Sequence, residues 1–189
     1  MIDRFLKRKR DILSKQDKSS KGFWDKPIEK LCERINLSED YYTTSSCSGR
    51  VVLMIDQEKK EGGLLIKVYH DLISFEQLKK DLDEIVSKYK KPIKLKMESC
   101  ALHVACKTLE DAQKLYDKAK LAGWKKSGII ASSSRFMVEL TSTEKLEFPI
   151  ICEGKILVND EFLKIIVDYG NDKLKRIWKK IEKLENFLN

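Results

Sequence analysis

Between residues 64 and 141 the chain twice reads strand, helix, strand, once over 64–106 and again over 100–141. That pattern narrows the fold more than any other feature, because a helix between two strands puts a helical layer against a sheet. Leu64 to His70 reads as a strand. Ser74-Phe75-Glu76-Gln77 is a capping box that opens a helix to about Tyr89 through Leu78, Leu82, Ile85 and Val86, and Pro92 stops it. Strand material runs from Ile93 to Cys106 with an interruption near Ser99. Thr108-Leu109-Glu110-Asp111 opens the next helix, with Ala112, Leu115, Tyr116 and Ala119 on its apolar face and Gly123 as its C-terminal cap. Strands follow near Ser127 to Ala131 and over Arg135 to Thr141. The expected class is α+β, a mixed β-sheet flanked by helices.

The flanks of the chain extend this picture. Residues 1 to about 18 read as a helix with a partial stripe of Ile2, Phe5, Leu6, Ile12 and Leu13, broken by Ser19-Ser20-Lys21-Gly22. Pro27 suits the first turn of a short helix carrying Ile28, Leu31, Cys32 and Ile35. Tyr41 to Ser46 and Val51 to Asp56 read as strands, Gly62-Gly63 sets off the next one, and weaker strands fall near Leu146 to Cys152 and Lys155 to Val158. From Asp160 onward Leu163, Val167, Gly170, Leu174, Ile177, Ile181, Leu184 and Leu188 alternate steps of four and three, the seam of a long C-terminal helix. The first helix is its obvious mate, and a homodimer would satisfy the same seam. No stretch of linker composition divides the chain, so residues 1–189 read as one domain.

Composition removes several function classes. No apolar run approaches the ~18 residues of a membrane span, and the N-terminus lacks a signal-peptide core. Five scattered Cys without a Cys-x-x-Cys pair argue against a disulfide framework or a zinc site and suit a reducing, cytoplasmic setting. The net charge of +8 is concentrated at the ends: Lys7 to Arg10, Lys15, Lys18 and Lys21 at one, Lys173, Lys175, Arg176, Lys179, Lys180 and Lys183 at the other. A polyanionic partner fits this distribution. A Lys/Glu-rich thermophile surface fits it as well.

The segment Tyr41-Tyr42-Thr43-Thr44-Ser45-Ser46-Cys47-Ser48-Gly49-Arg50 makes a poor core and a poor helix but a good surface for a polar, anionic ligand. It reads equally as a hydroxyl-rich strand turning at Gly49. The common phosphate-loop, dinucleotide, nucleophile-elbow and metalloprotease signatures are missing, and two His cannot build a three-His metal site. His70 ends a strand and His103 lies in the small, apolar strand Cys100 to Ala105. Each reads as a structural group or as a base near a bound nucleobase. Trp124, between Gly123 and Gly128, reads as a core cap or as a stacking platform. Ser132-Ser133-Ser134-Arg135 and Thr141-Ser142-Thr143 bracket a strand with more hydroxyls and a second Arg.

Taken together, Ser46-Cys47-Ser48-Gly49-Arg50, Leu102-His103-Val104, Ala122-Gly123-Trp124-Lys125-Lys126-Ser127-Gly128-Ile129, and Arg135 with Glu139-Leu140-Thr141-Ser142-Thr143 resemble the wybutosine-synthesis tRNA methyltransferase family, in its archaeal form. The likeness extends from Phe23-Trp24-Asp25-Lys26-Pro27-Ile28 to Leu157-Val158-Asn159-Asp160-Glu161-Phe162-Leu163. It implies a fold unlike the Rossmann methyltransferases. It also implies methyl transfer from S-adenosylmethionine to N4 of a tricyclic guanosine derivative, the 7-aminocarboxypropyl-demethylwyosine base, at position 37 of phenylalanine tRNA. On that resemblance Ser46, Ser48, Gly49 and Arg50, with Arg135, are expected to hold polar parts of the cofactor or a phosphate. Ser127, Gly128 and Ser142 are expected in the same cleft, and His103 or His70 to orient the base or accept a proton. No metal is implied. Two other readings compete: a non-catalytic RNA-binding module, suggested by the basic ends, and a helical dimerisation protein, suggested by the C-terminal seam.

Overall fold

A computed structural model describes residues 4–14, 24–57, 63–132 and 135–188. The elements are α1 (Arg4–Leu13), α2 (Lys26–Leu37), β1 (Tyr41–Cys47), β2 (Arg50–Ile55), β3 (Leu65–Tyr69), α3 (Phe75–Ile85), β4 (Ile93–Glu98), β5 (Ala101–Cys106), α4 (Leu109–Ala122), β6 (Gly128–Ser132), β7 (Arg135–Thr141), β8 (Leu146–Cys152), β9 (Lys155–Ile156) and α5 (Asp160–Phe187). The expected tail of the first helix, the Ser19–Gly22 break, Gly62 and Ser133-Ser134 lie outside the described residues. The chain forms two compact units that share it in alternation. The first takes Met1–Ser48, Cys100–Thr143 and Ile177–Asn189, the second Gly49–Ser99 and Glu144–Arg176.

The first unit carries a four-stranded sheet in the order β1-β5-β7-β6. Ile28, Leu31, Cys32 and Ile35 of α2 are buried, as are Ala112, Leu115, Ala119 and Ala122 of α4, and both helices pack on this sheet. They meet the apolar side of the strands, where Leu102, Val104, Val138 and Leu140 are fully buried. Thr108 and Asp111 form the capping box of α4, and Gly123 ends it at φ 99°, in the left-handed region that glycine tolerates best. The adjoining Trp124 is fully buried, and its Nε1 donates to the Lys180 carbonyl 3.2 Å away. It is a core residue rather than a stacking platform.

The second unit carries a five-stranded sheet in the order β3-β2-β4-β8-β9. Val51, Val52 and Leu53 of its inner strand β2 are all buried. Helix α3 opens where the Ser74 Oγ accepts from the Gln77 N–H, and it stops at Ile85, short of the expected Tyr89. Asn171 of α5 bridges to the backbone of Ile73 in both directions, donating to its carbonyl and accepting from its N–H.

The class is α+β with a long C-terminal helix, as the sequence implies, but among the described residues every strand pairing is antiparallel and the strands form two sheets rather than one mixed one. The physical reason is a strand inserted into each crossover. β3 and β4, joined through α3, both pair antiparallel with β2 between them. β5 and β6, joined through α4, both pair antiparallel with β7. Each crossover is thus a split unit whose parallel strands never touch. The run from Ile93 to Cys106 divides at Ser99-Cys100, and its halves join different sheets.

The C-terminal seam is satisfied within the chain. Leu163, Val167, Leu174, Ile177, Ile181 and Leu184 are all buried, which leaves these positions no exposed face for a second copy. Helix α1 packs instead on β1, with the Phe5 and Tyr42 ring centroids 5.2 Å apart. Among the described residues no helix is long and apolar enough to cross a membrane, and no cluster of His, Cys, Asp and Glu suits a metal.

Candidate functional site

The sheet face turned away from α2 and α4 carries a polar row across three strands. Ser45 of β1 pairs with His103 of β5, and His103 pairs with Glu139 of β7. A bulge between Thr43 and Ser45 makes this possible. Thr43 lies opposite Val104, on the helix side, where Asn36 holds its hydroxyl and its N–H. The extra residue then turns Ser45 onto the side of His103. The His103 Nδ1 lies 2.8 Å from the Ser45 Oγ and its Nε2 3.4 Å from the Glu139 Oε1. With the Nε2–H aimed at the carboxylate, Nδ1 has a lone pair that accepts from the Ser45 hydroxyl. The ring is about one-third exposed, so it is open to a ligand while both nitrogens are oriented. Ser45 and Glu139 were not among the expected site residues; only the strand pairing brings them to His103.

The Ser46–Arg50 segment crosses from one unit to the other, and its residues divide by role. Ser46 continues β1 opposite Leu102 and is half-buried. Ser48 is fully buried, with its backbone N–H 3.0 Å and its hydroxyl 3.2 Å from the Asp25 Oδ2, to which both donate. It is therefore committed to tying β1 to the start of α2. Gly49 has φ 90°, so the turn needs a residue without Cβ. In the second unit the Arg50 Nε donates to the Glu98 Oε2 at 2.7 Å, and Lys96 takes the other Glu98 oxygen at 3.0 Å. Burial pushes the Glu98 carboxyl up, but the Arg50 and Lys96 hydrogen bonds outweigh it and hold the group below its ordinary range. Arg50 is thus anchored through its Nε.

Of the remaining expected residues, Ser127, Gly128 and Ser142 gather at one end of β6 and β7, and Arg135 and His70 lie elsewhere. The Ser127 hydroxyl donates to the Trp124 carbonyl at 2.6 Å and accepts from the Thr141 N–H at 3.3 Å, so it closes a turn. Gly128 pairs with Glu139 at the edge of the polar row, and a Cβ there would meet open space. Ser142 is buried, and its Oγ has no hydrogen-bond partner among the described residues. Arg135 begins β7 whereas Ser142 follows its end, about 20 Å away at the usual rise of a strand. Arg135 is thus far from Ser142, whereas Ser127, bonded to Thr141, lies beside it. His70 follows β3 in the second unit. Its neighbour Tyr69 donates to the buried Asp81, which also accepts from Lys67 and Gln77.

S-adenosylmethionine carries a carboxylate, an ammonium and two ribose hydroxyls, and it needs hydrogen-bonding groups with no prior partner. The Ser142 Oγ is such a group, and it follows Thr141, which shares an end of the sheet with Cys47 through Ala101. Ser48 and Ser127 already hold partners, whereas the Ser142 hydroxyl has none among the described residues.

Comparison with known proteins places these features in a family. The family described as Methyltransferase TYW3 matches residues 7–189. A protein of Thermococcus sibiricus named tRNA(Phe) 7-((3-amino-3-carboxypropyl)-4-demethylwyosine(37)-N(4))-methyltransferase is 35% identical over 184 residues, covering 96% of this chain and 92% of the relative. The human tRNA wybutosine-synthesizing protein 3 homolog is 33% identical over 190 residues, covering 97% and 72%. Among solved structures, the PH1069 protein from Pyrococcus horikoshii superposes with a TM-score of 0.87 at 32% identity, over 98% of this chain and 96% of that one. The likeness runs from end to end in both sequence and fold, and the chain belongs to the TYW3 methyltransferase family.

Proposed function

We propose that the protein transfers a methyl group from S-adenosylmethionine to N4 of the 7-aminocarboxypropyl-demethylwyosine base at position 37 of phenylalanine tRNA, and that it does so in the cytoplasm. The observation that carries this reading is the likeness, over nearly the whole chain, to archaeal enzymes named for that reaction. The geometry supplies parts that suit it. Ser46 and Ser142 offer hydrogen bonds to polar groups of the cofactor, and Arg50, steadied by Glu98, offers its guanidinium to an anionic group. When bound, the cofactor supplies an electrophilic methyl whose sulfonium sulfur keeps the electron pair of the broken bond.

The protein's tasks are then alignment and proton removal. As the N4–methyl bond forms, the N4 proton passes to the Ser45 Oγ while the Ser45 hydroxyl proton moves to the His103 Nδ1. Glu139, facing Nε2, stabilises the resulting imidazolium. The test is to incubate protein and S-adenosylmethionine with phenylalanine tRNA from cells blocked at this step, digest the RNA, and weigh the nucleosides. One added methyl on the tricyclic base is the expected result. A folded protein that binds the tRNA and leaves the base unchanged overturns the reading.

A further inference from the structure

Helix α1 roofs a cavity of about 270 Å³ on the same sheet face as the His103 row. Phe5 and Tyr42 form part of its apolar lining with Ala105 and Met137, and Arg4, Arg8, Lys107 and Arg135 bring four cations to it. Among the described residues no Asp or Glu lines this cavity, and Arg4, Arg8 and Arg135 have no ion-pair partner. Burial raises the phenol of Tyr42, and the charges of Arg8 and Arg135 pull it back, so both guanidiniums act on the cavity from opposite sides. Three guanidiniums without an ion-pair partner, gathered beside Lys107, form a concave positive surface that concentrates anions.

Position narrows the occupant. Ala105 and His103 are alternate residues of β5, and Met137 and Glu139 are alternate residues of β7, so the cavity lies about 7 Å along the strands from the polar row. That is close to one nucleotide step on an RNA strand. A lone carboxylate is satisfied by one bidentate Arg, whereas four cations over an aromatic floor match the repeated charge of a sugar–phosphate backbone. Resting on the tRNA methyltransferase reading, we infer that this cavity seats the phosphodiester adjoining the methylated nucleotide and so pins the RNA strand one step from His103.

The test uses the full chain and phenylalanine tRNA bearing the unmethylated tricyclic base. Arg8→Gln and Arg135→Gln are compared with wild type for tRNA affinity across a salt series, for kcat and KM, and for S-adenosylmethionine affinity by calorimetry. Arg135 is an exposed strand-start residue, so its variant keeps the test valid should Arg8→Gln unsettle α1. Each substitution is expected to raise Kd and KM, to leave kcat and cofactor affinity unchanged, and to lower the slope of log affinity against log salt by about 0.7. A stem-loop with a neutral methylphosphonate at the adjoining phosphate should weaken wild type similarly and add nothing to the variants. Variants that keep the wild-type salt slope, or that lose cofactor binding instead, overturn the cavity assignment while the methyltransferase reading stands. A wild type that neither binds nor methylates the tRNA removes both.

Discussion

At the scale of residues, the polar groups differ in whether they are spent. Ser48 and Ser127 satisfy Asp25 and the backbone, while Ser45, His103 and Glu139 hold one another and stay accessible. His103→Ala should lower kcat by about 10²–10⁴ with KM little changed, the usual worth of a positioned base. Glu139→Gln should cost less, because it keeps an acceptor toward Nε2 and removes only the charge. Equal KM effects and an intact kcat in single-turnover assays would remove His103 from the chemistry. Asp81 illustrates a structural charge. Burial pushes its carboxyl up, and the hydrogen bonds from Lys67, Tyr69 and Gln77 outweigh that and hold it low. A depressed carboxylate adds stability above its unfolded value and loses it as pH falls through the folded one. Asp81→Asn should therefore cost about 2–3 kcal/mol at neutral pH in urea denaturation and flatten the acid limb of stability. The figure falls below that for a wholly buried pair because Lys67 is 34% exposed and can rehydrate. The partners of Ser48 and Arg50 lie 23 and 48 residues away, so no local reading of the hydroxyl-rich segment finds them.

At the scale of elements, much was legible. Caps at Ser74 and Thr108, the glycine at 123 and the apolar spacing of α2, α4 and α5 locate these helices because their signals are local. Pairing was not legible, since β1 finds its neighbour β5 some sixty residues on, past all of β2 to β4. The inserted strands β2 and β7 also change how each crossover reads, one preceding it in sequence and the other following it. The turn from β1 to β2 depends on Gly49 at φ 90°, so Gly49→Ala should cost about 1–2 kcal/mol by urea denaturation, the penalty for a Cβ in left-handed backbone. An unchanged midpoint would mean that the turn relaxes to another conformation.

At the scale of the whole molecule, the chain passes between the two units four times, after Ser48, Ser99, Thr143 and Arg176. Neither unit is a continuous segment, and α5 begins in one and ends in the other. We expect a single unfolding transition, with near- and far-ultraviolet circular dichroism coinciding on heating; two separate transitions would overturn the one-domain proposal. The same interleaving sets the order in which the protein becomes whole during synthesis. A ribosome releases β1 early, but its neighbour β5, and β7 beyond it, arrive only after β2 to β4 have been made. The carbonyl that receives the Trp124 indole comes from Lys180, later still. The growing chain thus carries β1 without its partner until Cys106 has been added. A message cut short before residue 144 encodes two incomplete units, not one finished and one missing.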